Sequence, residues 1–290
     1  MKLPPFSVHR PESVQEASRL LAELGDEAAA YCGGTELLLA MKLGLAEYAH
    51  LVDLKRVAAL HGVTSSGTSL RIGASTTHYE LESSPQVRAW CPAFAAMTSE
   101  VANIRVRSVG TLGGNLCFAD PHSDPATFLI AAGASMLCRK AADTRRVPAA
   151  EFVTGPYQTV LEPGELLVAV ELPALPDQAG IGHVRMKLHE RPIVTVTAMV
   201  QLTGGAVSHA LLAIGSVNAV PLSADAAASL LGAGTGDFDA RADACARQAA
   251  IAVRPLSDGD SSPEYLRHLV YVHSRRALNV AFAAARDASS

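Results

Sequence analysis

At 290 residues, 49% of them apolar and 18% charged, the chain has the length for one body of two or three subdomains and an apolar content that leaves room for a buried subunit interface. A formal net charge of −4, with Lys and Arg scattered singly, gives no electrostatic basis for nucleic acid or an anionic membrane surface as partner. The opening Met1-Lys2-Leu3-Pro4-Pro5-Phe6 lacks a signal-peptide core, and no run of about 18 uninterrupted apolar residues occurs, so no integral membrane segment is expected and the chain reads as cytoplasmic.

Ser13-Val14-Gln15-Glu16 forms a capping box, and Val14, Ala17, Leu20, Leu21 and Leu24 follow at helical spacing until Gly25. A short apolar strand over 28–32 then meets Gly33-Gly34-Thr35, and a helix over 36–42 is closed by Gly44. Strands are expected at 50–54 and 69–74, a short helix capped by Thr77, and another helix over 92–102. The segment 103–124 holds Gly110, Gly113, Gly114 and Pro121, has no sustained period, and reads as a long functional loop. A helix near 125–132 and strands near 135–140 and 165–172 follow, and Pro173, Pro176, Asp177 and Gly180 mark a subdomain boundary.

Beyond it, 183–190, 193–202 and 207–214 read as three strands, the last two joined at Thr203-Gly204-Gly205-Ala206. In the middle one, Val194, Val196, Ala198 and Val200 alternate with Thr195, Thr197, Met199 and Gln201. Helical patterns near 223–231, 237–253 and 263–285 complete an α+β arrangement.

The five cysteines (Cys32, Cys91, Cys117, Cys138, Cys245) are odd in number and contain no CxxC pair, which excludes a locally encoded disulfide framework, zinc site or iron–sulfur site. Neither His268/His273 nor His183/His189 has the i,i+4 spacing of a helical metal pair. No nucleophile elbow, Ser-His-Asp order or paired catalytic carboxylate is visible, so no catalytic residue is expected in this chain.

Two glycine loops carry the chemistry. Cys32-Gly33-Gly34-Thr35-Glu36 opens a helix, where backbone N–H groups and the positive dipole end favour an anion. Val109-Gly110-Thr111-Leu112-Gly113-Gly114-Asn115 offers the same kind of bare N–H surface without an obvious helix. Two such loops converging would hold a pyrophosphate from two sides, although each taken alone is more readily a tight turn. Neither fits GxxxxGK[ST] or GxGxxG, and Gly232-Ala233-Gly234-Thr235-Gly236 joins two helices without a preceding strand. Asp120-Pro121-His122-Ser123-Asp124 fits a metal site, a helix N-cap at Asp124 or a ribose-hydroxyl acceptor, and nothing intrinsic decides among them.

The order of these elements resembles the FAD-binding subunits of molybdenum hydroxylases of the xanthine dehydrogenase and carbon monoxide dehydrogenase type. The matching features are the AGGT-type turn at 32–36, an IGAxTT element at 72–77, an IRxxGTxGGNL signature at 104–116 and an ADPxSD element at 119–124. The strand 165–173 and a KxxxR element at 187–191 complete the set. Cys32 departs from the family's usual Ala or Gly, and the cysteine-rich insert of hydroxybenzoyl-CoA-reducing relatives is missing.

The resemblance implies an α+β fold: a two-lobed PCMH-type (vanillyl-alcohol-oxidase-like) FAD-binding domain at 1–177, with lobes at about 1–55 and 56–177. A small antiparallel sheet with a helical layer would follow at 178–290. It implies FAD bound through Cys32, Gly33, Gly34, Thr35, Glu36 and Leu37, through Thr76, and through Thr111, Leu112, Gly113, Gly114 and Asn115. Asp124 would accept from ribose or ribityl hydroxyls, Leu167 would lie against the isoalloxazine, and Lys187 would sit near the ring. It further implies a heterotrimer, paired as a dimer of heterotrimers, with a large molybdopterin-binding subunit and a small subunit carrying two [2Fe–2S] clusters. This chain would relay their electrons to an external acceptor. A self-contained FAD-dependent oxidase or dehydrogenase of the same fold is the alternative, and a nucleotide-binding structural protein a third reading.

Overall fold

The computed structural model describes residues 2–255 and 261–288. The chain divides into two compact units: residues up to Ala119 together with Ala134–Leu172, and Asp120–Gly133 together with the chain from Pro173 onward.

The first unit contains two main sheets. The smaller is parallel, with Ser7–His9 and Ala28–Tyr31 flanking His50–Asp53. Helix Val14–Leu24 is capped as its sequence requires, the Ser13 hydroxyl accepting from the Glu16 N–H. Its Val14 and Ala17 are buried together with Val52, Leu54, Leu166 and Val168. The larger sheet runs in the order Val63–Ser65, Ser69–Gly73, Leu166–Pro173, Ser135–Lys140, Asp143–Pro148. The edge strand Asp143–Pro148, mostly exposed, has too little apolar alternation to be read from sequence.

The segment 103–124 is not a loop. It forms two short helices, Ile104–Arg107 and Leu112–Phe118, then the start of a third, Asp124–Ala131. Each of the first two is only one or two turns long, below the length at which a 3.6-residue period shows. Asn103 and Thr111 cap them through side-chain oxygens.

In the second unit, Ala179–Leu188, Arg191–Thr203, Ala206–Gly215 and Leu222–Ser223 form an antiparallel sheet. Register places His183 opposite Thr197, Arg185 opposite Thr195, and Thr195 opposite Gly215, all on one face. The other face presents Val194, Val196, Ala198 and Val200 to a core shared with helices Phe238–Ala252 and Pro263–Asp287. The expected alternation is thus a division between a threonine face and a valine face. Gly180 and Gly182 lie directly on the long helix: a Cβ on Gly182 would meet the Ala277 carbonyl and come 2.8 Å from the Ala281 nitrogen. No helix among the described residues is long and apolar enough to cross a membrane.

Candidate functional site

The two glycine loops meet inside the first unit. Gly33 packs on the backbone of the second loop, where an added Cβ would strike the Val109 carbonyl oxygen and stand 2.8 Å from the Gly110 Cα. A Cβ on Gly110 would in turn come 3.5 Å from the Thr35 hydroxyl. Gly34 takes φ +73°, which the turn into helix Leu37–Leu43 requires, and the Leu38 N–H donates back to its carbonyl. That helix starts one residue later than its sequence indicates. Its N-cap, Glu36, makes no side-chain capping bond, so no capping side chain serves the first-turn N–H groups.

The second loop does not offer the bare N–H surface expected of it. Leu112 N–H donates to the Thr76 carbonyl at 3.0 Å, Gly113 to Ala74 at 2.8 Å, Gly114 to the Thr111 hydroxyl at 3.0 Å and Asn115 to the Thr111 carbonyl at 2.9 Å. The cause is docking: Thr111 bridges Thr77 in antiparallel fashion, and His78 N–H donates to the Gly110 carbonyl at 3.0 Å. Gly113 is there for close approach, since a Cβ would lie 2.7 Å from the Ala74 carbonyl oxygen. Ala74 is fixed by its own N–H, which donates at 3.1 Å to Val168 at the irregularity between Leu167 and Ala169. Leu167, buried at 4% exposure, therefore belongs to the strand that sets the position of the loop.

Cys32, Gly33, Val109 and Thr111 line a cleft of about 440 Å³ with Tyr31, Lys55, His61, Ser75, Thr77, Glu80 and Ser108. The Cys32 thiol is held above its ordinary pKa by burial, against hydrogen bonds with the Ser75 and Thr111 hydroxyls, so it is protonated at neutral pH and no nucleophile. Gly114 is exposed and Asn115 half-buried, whereas Leu112 is fully buried and serves the core. Thr76 spends its hydroxyl on the Gly62 carbonyl at 3.2 Å.

His78 lies beneath this docking point. It is 2% exposed, its Nδ1 has no partner among the described residues, and burial first, then the Arg107 charge, lower its pKa to about 4. Arg107 pairs with Glu82 at 2.7 Å. Because the folded pKa lies below the ordinary 6.5, the unfolded chain binds more protons between these values. Stability is full above about pH 6.5 and falls as pH drops toward 4, by up to about 3 kcal/mol. Denaturant titrations from pH 7 to 4.5 should show this slope in the wild type and lose most of it in His78→Phe; an unchanged slope would remove the assignment.

In the second unit, Asp124 is the first residue of its helix and not the cap; Ser123 holds that position, without a side-chain capping bond. The Asp124 carboxylate is 3% exposed and pairs through Oδ2 with Nη1 of Arg185. His183 Nε2 stands 3.9 Å from Oδ1 and its Nδ1 is 2.8 Å from the Thr197 hydroxyl. Asp120 pairs with Arg191 at 3.0 Å, and the His122 ring contacts the Pro192 carbonyl at 2.9 Å. These partners account for the acidic element without a metal, and among the described residues no group of three or more His, Cys, Asp or Glu is placed to hold one. Lys187 is exposed, beside a register slip where Pro192 interrupts the facing strand. Neither Arg185 nor His183 carries a sequence signal for this pairing, because nothing in a strand's sequence reveals which distant carboxylate it will face.

Comparison with known proteins shows the family. Residues 4–175 match the family of FAD binding domains in molybdopterin dehydrogenase, and residues 184–281 match the carbon monoxide dehydrogenase flavoprotein C-terminal domain. The carbon monoxide dehydrogenase medium chain of Afipia carboxidovorans is 34% identical over 97% of this chain and 98% of its own length. Among solved structures, a chain of the carbon monoxide dehydrogenase of Hydrogenophaga pseudoflava superposes with a TM-score of 0.94 at 34% identity, covering 98% of this chain and 99% of that one. A chain of quinoline 2-oxidoreductase from Pseudomonas putida 86 gives a TM-score of 0.90 at 30% identity, with both chains covered in full at 100%. With both domains present in order along one chain, the protein belongs to the FAD-binding medium subunits of the molybdenum hydroxylase family of oxidoreductases.

Proposed function

We propose that the chain is the electron-transfer subunit of a heterotrimeric molybdenum hydroxylase, taking electrons from [2Fe–2S] clusters in a small partner and passing them to an external acceptor. A large partner would hold the molybdopterin and select the substrate, the complex would pair as a dimer of heterotrimers, and its place would be the cytoplasm. The observation that carries the reading is the convergence of the glycine loops, Gly33 lying on Val109 and Gly110 with the Thr35 hydroxyl at their junction. This arrangement fits a dinucleotide pyrophosphate entering from the side of the first loop.

In this reading, 1–177 is the PCMH-type FAD domain and 178–290 the C-terminal domain. Gly33, Gly34, Thr35, Glu36 and Leu37 meet the phosphates. Cys32 and Thr76 line their support, with Thr111, Leu112, Gly113, Gly114 and Asn115 shaping the opposite wall. Asp124 takes a hydroxyl, Leu167 borders the isoalloxazine, and Lys187 lies near the ring. FAD, when bound, supplies the exchange between one-electron and two-electron carriers. The chain's own residues bind and orient it and exclude water; the neutral, half-buried Cys32 adds no covalent chemistry. A structure with FAD bound would remove any of these residues lying away from it.

A self-contained oxidase would need a substrate cavity of its own. Against that alternative, the sheet of the second unit carries helices on its valine face and the helix Asp124–Ala131 with its ion pair on the threonine face. The deciding experiment is an absorption spectrum of the purified chain, then of the chain with its co-purifying partners. Flavin bands bleached by dithionite, with FAD released on heating and iron–sulfur absorbance added by the partners, are expected. A colourless protein that FAD does not reconstitute would overturn the proposal.

A further inference from the structure

We infer that Lys55 is the cation that meets the phosphates of the dinucleotide in this chain, an inference that rests on the flavin reading above and assigns a residue to which neither glycine loop points. A dinucleotide pyrophosphate is a dianion. The second loop spends the N–H groups of Leu112, Gly113, Gly114 and Asn115 within the protein, so it brings little compensation for that charge. Among the described residues lining the cleft beside Cys32, Gly33, Val109 and Thr111, Lys55 is the one Lys or Arg.

Its position follows from the parallel sheet. Strand His50–Asp53 ends beside Ala28–Tyr31, with Asp53 opposite Tyr31, and the chain then turns through the 3-10 helix Leu54–Arg56. Asp53 caps that turn by accepting the Lys55 N–H at 3.1 Å. The side chain returns over the first loop: Nζ sits 4.0 Å from the centroid of the Tyr31 ring and 3.1 Å from Asp53 Oδ1. Its charge is felt at Cys32, the residue before Gly33, where it opposes the effect of burial on the thiol.

The ammonium is held loosely enough to be exchanged. Lys55 is 48% exposed in the side chain, and a half-exposed ion pair of this kind adds little stability. A phosphate oxygen offers a stronger, charge-assisted partner than a cation–π contact at an open surface. The aromatic face of Tyr31 and the Asp53 carboxylate therefore store the cation beside the loop until a phosphate takes it.

The test is FAD affinity of the full-length deflavinated chain, read by flavin fluorescence across a series of potassium chloride concentrations for the wild type, Lys55→Gln and Lys55→Arg. The wild type should weaken as salt rises. Lys55→Gln should bind about tenfold more weakly at low salt and show a flatter salt dependence, while Lys55→Arg stays within about threefold of wild type. Equal affinity in Lys55→Gln, or a loss by the same factor at every salt concentration, would overturn the inference, because the second pattern marks lost packing and not lost charge. Should the wild type bind and only these differences fail, the flavin reading stands alone. A wild type that takes up no FAD at any salt would remove both.

Discussion

Gly33→Ala should give a chain that folds and purifies with little FAD. The new methyl group would point at the Val109 carbonyl oxygen and stand 2.8 Å from the Gly110 Cα, both main-chain atoms that no rotamer change can move aside. Relief must come from parting the two loops, and overpacking of this kind costs about 1–3 kcal/mol. Taken from the loop arrangement proposed to bind the cofactor, this corresponds to FAD binding weakened by about fivefold to 150-fold. Gly113→Ala should behave alike, since its Cβ would meet Ala74 at 2.6 Å from Cβ and 2.7 Å from the carbonyl oxygen. Gly236→Ala is the control: that glycine has nothing within 4 Å and no positive φ, so flavin content and melting temperature should stay at wild type. The measurement is the flavin-to-protein absorbance ratio after gel filtration. A Gly33→Ala chain as yellow as the wild type would mean that loop contact is not what forms the site.

These glycines also show which part of the site was legible in the sequence. Gly33-Gly34 and Gly113-Gly114 were visible as loops because glycine pairs beside a strand or helix are local signals. Their structural task was not, because the neighbour each must admit is distant: Val109 for Gly33 and Ala74 for Gly113. The same distinction explains the misread stretch 103–124. Asn103 and Thr111 are ordinary caps, but helices of four and seven residues carry no readable period, and what holds Leu112–Phe118 is its hydrogen bonding to 74–77. Long elements were read well, since the alternation from Val194 to Gln201 and the cap at Ser262 and Pro263 act within one segment. Lys55 carried no sequence signal at all; only the pairing of Tyr31 with Asp53 brings it to the cleft.

Asp124 carries the other large effect: its carboxylate holds a buried ion pair, and the flavin hydroxyl proposed for it would be a second task. Oδ2 pairs with Arg185, both side chains being 5% exposed or less, while Oδ1 finds no hydrogen-bond donor among the described residues. Removing one partner from a buried ion pair typically costs about 3–5 kcal/mol, because the remaining charge stays in a medium that solvates it poorly. Asp124→Ala should therefore lower the unfolding midpoint of the chain sharply, and flavin binding should fall with the fold. Replacing the pair by apolar residues of similar volume is often nearly neutral, so Asp124→Leu with Arg185→Met should recover most of the lost stability. The double variant then isolates the second task. If Oδ1 accepts a ribose or ribityl hydroxyl, the stable double variant should still bind FAD about tenfold more weakly than wild type, the loss expected for one hydrogen bond to a charged group. Wild-type affinity in the double variant would confine Asp124 to the ion pair that fixes helix Asp124–Ala131 on its sheet, and would take it out of the flavin site.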